Sequence, residues 1–204
     1  MQFNSLDFKS LHRQPLSRSQ KPGRLEQLIG PGATLAELAV QFIPAFGAVI
    51  AAPIYASTLA IDWSPWQLGA IAILGFDIAG GVLTNATAAA KRWYHRPGQG
   101  RRQHFGFVAL HLFHIGLVSL LFRGADGVFF VGVSSFLLLA AALILESPLY
   151  LQRPIALGLY GLALLGDRYF LTPTPGLEWF LPLFSLKLLV SHLLKETAYK
   201  PGDC

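Results

Sequence analysis

Asp77, His111 and His114 are the residues in this chain whose types and spacing point most directly to chemistry. The two histidines are three positions apart, so on a helix their rings leave the same side about one turn apart. Neutral imidazole is the commonest protein ligand for transition metals, and a ring beside a carboxylate also carries protons. Asp77 stands in the run GFDIAGGVLTNATAAAKRWYHR, whose first two thirds have the small, apolar texture of a membrane helix. An ionised carboxylate at membrane depth is costly unless it is paired, hydrated, metal-bound or neutralised. Mixed N and O ligands with one open position suit zinc, whereas more carboxylates and histidines suit iron.

Other polar residues fall at a matching depth. At about 100° per residue, Asp77, Gly80, Gly81, Thr84, Asn85 and Ala88 share one helix face. The small residues on that face allow a second helix to approach closely. Glu37 and Gln41 in the first apolar segment, and Lys187 and His192 in the last, join the same half of the membrane. The expected site therefore has Asp77, His111 and His114 as catalytic and metal-binding residues, with Glu37 and His192 as further ligands. Gln41, Thr84, Asn85 and Lys187 are expected to line the polar cavity around them. For Lys187 the readings are snorkelling, pairing with Asp77, or a Schiff base.

The elements that must position these groups are apolar helices. The chain has 204 residues, 53% of them hydrophobic and 13% charged, with a mean hydropathy of +0.48. A soluble domain carries about a quarter charged residues, so this composition is that of a protein built to meet lipid. The apolar runs do not alternate with period 2, which excludes barrel strands. About 20 apolar residues cross a bilayer as a helix. Six segments are expected to do so: 33–59, 66–90, 104–122, 127–145, 148–167 and 177–194. The fifth is the weakest, because its cleanest apolar run, 154–165, is short and also suits a buried or re-entrant segment.

The expected class is thus an all-α, polytopic helical membrane bundle. Residues 1–32 form a basic N-terminal arm, 33–196 the bundle and 197–204 a tail. Lys91, Arg92, Arg96, Arg101 and Arg102 cluster between the second and third segments, and the arm and the C-terminal end add more cations. The positive-inside rule then places both termini in the cytoplasm, in a plasma membrane of bacterial inner-membrane type. The arm lacks the apolar core of a cleavable signal peptide. The net charge of +5 is accounted for by these flanking cations, with anionic lipid at the cytoplasmic face as their partner, and not by nucleic acid. The single cysteine, Cys204, permits no intrachain disulfide. The Asn85-Ala86-Thr87 triplet lies inside a helix and is no glycosylation site.

The leading functional expectation is a metal-dependent membrane enzyme acting on a lipid-like substrate. A proton-coupled carrier is the main alternative, with Asp77 and the histidines as titrating groups. Haem held by His111 or His114 together with His192 is a third reading, and a non-catalytic assembly subunit a fourth. Substrate, metal identity and oligomeric state are not encoded in any motif of this sequence.

Overall fold

A computed structural model describes residues 22–197, and within them the chain is all-helical. The greater part of the expected basic arm, and the tail from residue 198, lie outside the described residues. The helices are α1 (Arg24–Ile29), α2 (Leu35–Ser57), α3 (Pro65–Ala86), α4 (Ala88–Tyr94), α5 (Arg101–Leu110), α6 (Leu112–Phe122), α7 (Gly127–Glu146), α8 (Leu149–Phe170) and α9 (Phe180–Ser185). A π-helical segment, Leu186–His192, continues α9. Four stretches are long and apolar enough to cross a membrane: Leu35–Ser57, Pro65–Ala86, Arg101–Phe122 and Gly127–Glu146.

The first four expected segments correspond to those four stretches. The fifth is a helix of 22 residues, α8, much longer than its apolar run, but Arg153, Asp167 and Arg168 make it more polar than the four. The sixth, Phe180–His192, is apolar and shorter. The end of the expected arm is not free chain, because residues 24–29 form α1. Glu26 accepts a hydrogen bond from Gly23 N at 2.9 Å and so closes its first turn. Gly30 ends it with φ +88°, where an added Cβ would strike the backbone of Ala89 and Ala90. That contact seats α1 against α4.

α3 is the central element. Its Ile71, Leu74 and Ile78 are buried with Ile115 and Val118 of α6, Phe180 and Phe184 of α9, and Leu188 and Leu189 of the π-helical segment. α2 packs chiefly on α3, and a Cβ on Gly80 would sit 3.0 Å from Ala45 Cβ, so the small-residue face of α3 does receive a neighbour closely. The outer side of α2 leaves Leu35, Val40, Ile43, Phe46, Ile50 and Ile54 exposed. A face of this kind calls for apolar surroundings, lipid or another protein surface.

Two of the expected continuous helices are broken, each for a local reason. α3 stops at Ala86 because Thr87 adopts an extended conformation (φ −68°, ψ 150°) and caps α4, its hydroxyl accepting from Ala90 N at 3.3 Å. The third expected span divides at His111, where the backbone tightens: His111 N donates to Val108 O and His114 N to His111 O, both at 3.0 Å. This second break shapes the site.

Candidate functional site

The tightening at His111 withdraws its backbone N–H from Phe107 O, the carbonyl an α-helix would assign to it. The side chain takes that acceptor instead, with His111 Nδ1 donating to Phe107 O at 2.8 Å. One turn on, His114 Nδ1 lies 3.3 Å from His111 O. A carbonyl only accepts, so both rings hold a proton on Nδ1 and keep Nε2 for another partner. An imidazole anchored to a carbonyl through Nδ1 is the arrangement that metal-ligating histidines use, with Nε2 toward the ion. The rings stack, with centroids 5.1 Å apart and planes 14° apart.

Opposite them stands Asp77 of α3. Its Oδ2 is 3.1 Å from His114 Nε2 and accepts from Lys187 Nζ at 2.5 Å. Lys187 also donates to Asp77 O at 3.2 Å. The Nε2–Oδ2 approach brings two acceptors together unless a proton or a cation lies between them. At the usual distances of about 2.0–2.2 Å to N and O, one ion can be shared by atoms this far apart. One ligand atom from each of Asp77, His111 and His114 lies within 4.8 Å of the others, and no other such group occurs among the described residues.

Lys187 is only 3% exposed, whereas Asp77 is 41% exposed. The lysine reaches the carboxylate because Gly81 has no side chain: a Cβ there would collide with Lys187 Cε and lie 2.8 Å from its Cδ and Nζ. The second glycine of the Gly80-Gly81 pair is thus explained by the ion pair, and the first by α2. The π-helical segment that carries Lys187 belongs to a rare helix type that recurs at functional sites.

A cleft of about 550 Å³ opens onto these groups. Asp77, His111, His114 and Lys187 form part of its wall with Gln41, Thr84 and Asn85, and Phe42, Phe76, Leu110 and Phe113 supply apolar surface. Leu25, Leu28 and Ile29 of α1 border one end. Thr84 Oγ1 donates to Gln41 Oε1 at 3.2 Å, which ties α3 to α2 there. The volume is that of a small-molecule site.

Of the expected site residues, Asp77, His111, His114 and Lys187 come together, and Gln41, Thr84 and Asn85 line the same cleft. Glu37 and His192 are placed elsewhere. Glu37 accepts from Thr34 N at 2.8 Å and Ala89 N at 2.9 Å, joining the start of α2 to α4. His192 pairs with His104, Nε2 to Nδ1 at 3.2 Å, and its Nδ1 is buried without a partner. Phe107 fills the space between His192 and His111, with ring centroids 3.8 Å from the first and 4.4 Å from the second.

Two residues near His192 have roles that the sequence does not signal. Lys91 donates to Ser191 O at 2.6 Å and Leu194 O at 2.5 Å, closing the end of the π-helical segment. His95 stacks on His104 with centroids 4.4 Å apart, and its Nε2 lies 3.1 Å from His192 O. Burial lowers Lys91 to about 8. Burial, reinforced by the neighbouring His104 and Lys91, lowers His95 to about 4. The histidine partners come from separate helices, so spacing along the chain carries no trace of this cluster.

No protein family, curated protein or solved structure matches this chain. The functional reading therefore rests on geometry and chemistry alone.

Proposed function

We propose that this protein is a metal-dependent membrane enzyme in which Asp77, His111 and His114 hold a divalent ion against a lipid-like substrate that enters the cleft from the bilayer. The observation that carries the reading is the convergence of Asp77, His111 and His114, one ligand atom of each within 4.8 Å of the others, with both imidazoles anchored through Nδ1 at the wall of an apolar cleft. Among the described residues the polar contacts of the Asp77 side chain fall on Oδ2, so both the Nε2–Oδ2 gap and Oδ1 are open to an ion. A bound ion would supply activation of water or, with iron, of oxygen, the second being the chemistry that a hydrocarbon chain requires. The side chains hold the ion in place, and the apolar wall receives the substrate's chain.

In this reading α8 and Phe180–His192 complete six spans with the four apolar stretches, and both termini lie in the cytoplasm of a bacterial-type inner membrane. Support comes from the cations: Lys91, Arg92, Arg96, Arg101, Arg102, Arg153 and Lys195 fall at one end of the alternating helices, against Arg123 and Arg168 at the other. Anionic lipid is the natural partner of that richer end.

One observation favours a second reading, a proton-coupled carrier. Lys187 already neutralises Asp77, and intramembrane Asp–Lys–His groups also serve as proton relays. Phe107, packed between His111 and His192, disfavours the bis-histidine haem reading.

Reconstituted protein incubated with total membrane lipid tests the enzyme. Mass spectrometry should record a lipid converted by wild type, and not by Asp77→Asn or after chelation. Proton-coupled uptake into the vesicles without lipid conversion would replace the enzyme by the carrier.

A further inference from the structure

Asn85 lies on the cleft face of α3, eight residues beyond Asp77, which is about 12 Å along a helix. The residue is 5% exposed, and its amide has no hydrogen-bond partner among the described residues. Neither amide atom is sealed off, in contrast to Gln41 Nε2, so the unpaired donor and acceptor face the cleft. With apolar matter filling the cleft, such an amide without a partner costs about 1–3 kcal/mol. A ligand in the cleft is what would satisfy it.

The surroundings of this amide define the ligand. Leu25, Leu28, Thr84 and Tyr94 line the cleft with it, and Lys187, the one Lys or Arg in the lining among the described residues, is bound to Asp77. A carboxylate or phosphate at Asn85 would be desolvated without a counter-ion, whereas a hydroxyl, ester or amide matches a neutral donor–acceptor pair. Phe42, Phe76, Leu110 and Phe113 give the cleft its apolar wall.

We propose, building on the lipid reading above, that the cleft takes a single-chain amphiphile with an uncharged, oxygen-bearing head. The head hydrogen-bonds to Asn85. The chain runs toward Asp77, His111 and His114, so those groups meet the interior of the chain and not its head. The span of about 12 Å is close to half of an apolar bilayer core of about 30 Å, so a lipid of one leaflet reaches across it.

Photocrosslinking of the full-length protein in nanodiscs tests this. The probes are a monoacylglycerol with a mid-chain diazirine, the free fatty acid with the same chain, and a monoacylglycerol with the diazirine beside the head. The mid-chain glyceride should label α3 near Phe76 and α6 near Phe113, and the head-proximal one the region of Asn85 and α1. Asn85→Leu should lower mid-chain labelling about fivefold, the worth of one hydrogen bond, and the fatty acid should label less than the glyceride. Asn85→Ala, which removes the amide without adding bulk, should give a loss of the same order and replaces Asn85→Leu if that variant does not fold. Labelling unchanged by either variant, or the head-proximal probe labelling around Asp77, overturns the proposal. Bound metal is measured on the same samples. Asn85-dependent labelling without metal removes the metal reading alone, and metal without Asn85-dependent labelling removes this proposal alone.

Discussion

Gly81→Ala tests the internal logic of the site, because the added methyl should act through a single neighbour. Its Cβ would collide with Lys187 Cε and lie 2.8 Å from Cδ and Nζ. These atoms are the far end of a flexible side chain, so the lysine and not the backbone should yield. Displacing it breaks the 2.5 Å contact with Asp77. Separating a fully buried ion pair destabilises by about 3 kcal/mol or more, and with Asp77 41% exposed screening reduces this to about 2 kcal/mol. Alanine recovers about 1 kcal/mol of helix propensity over glycine. The net loss is about 1 kcal/mol, or roughly 2–4 °C in melting temperature for a chain of this size. Thermal unfolding in mild detergent should be compared for wild type, Gly81→Ala, Lys187→Ala and the double variant. In the Lys187→Ala background the colliding atoms are gone, so Gly81→Ala should become neutral or stabilising by up to about 1 kcal/mol. Equal destabilisation in both backgrounds would refute the claim that Gly81 exists to admit Lys187.

Lys187→Met should tighten divalent-ion binding by at least about tenfold, because an ion no longer competes with an ammonium group for Asp77; titration with zinc read by calorimetry checks this, and unchanged or weaker binding contradicts it. Glu37→Ala should destabilise by about 1–2 kcal/mol through loss of the α2 cap and the bond to Ala89 N. Its metal content should stay at the wild-type level, so a loss of metal would return Glu37 to the ligand set. Stability should depend on pH at the end holding His95 and Lys91. His95 sits at about 4 in the fold against about 6.5 unfolded, so the unfolded chain binds more protons in that window and stability should fall as pH drops from about 6.5 toward 4. Lys91, at about 8 in the fold against about 10.4 unfolded, should make stability rise between those values. Melting curves across pH should show both slopes, with the acid one flattened in His95→Gln and the alkaline one reduced in Lys91→Met.

The helical membrane class and the four most apolar helices were legible because hydropathy and length act residue by residue. The convergence of Asp77 with His111 and His114 was legible too, since matched depth on successive antiparallel helices leaves few other neighbours for them. Pairing of Lys187 with Asp77 was one of three readings, and choosing it needed the Gly81 gap, which is a property of two packed helices. Glu37 looked like a ligand because its depth was right. Its Thr34-x-x-Glu37 spacing is a capping box, and that local signal outweighed depth. His192 likewise shares the site's half of the protein, but Phe107 stands between it and His111. The break at His111 had no advance signal, because a histidine competing with its own backbone for Phe107 O depends on a rotamer. The His95–His104–His192 cluster depends on how separate helices meet, which no spacing along one helix records.

The central claim is that Asp77, His111 and His114 together bind a divalent ion. Protein purified in detergent, dialysed against zinc, iron or manganese and then against metal-free buffer, should retain about one ion per chain by elemental analysis. The His111→Ala/His114→Ala variant, shown by its melting curve to be folded, should retain none. Wild type that holds no ion while fully folded, or a double variant that holds as much as wild type, would contradict the account.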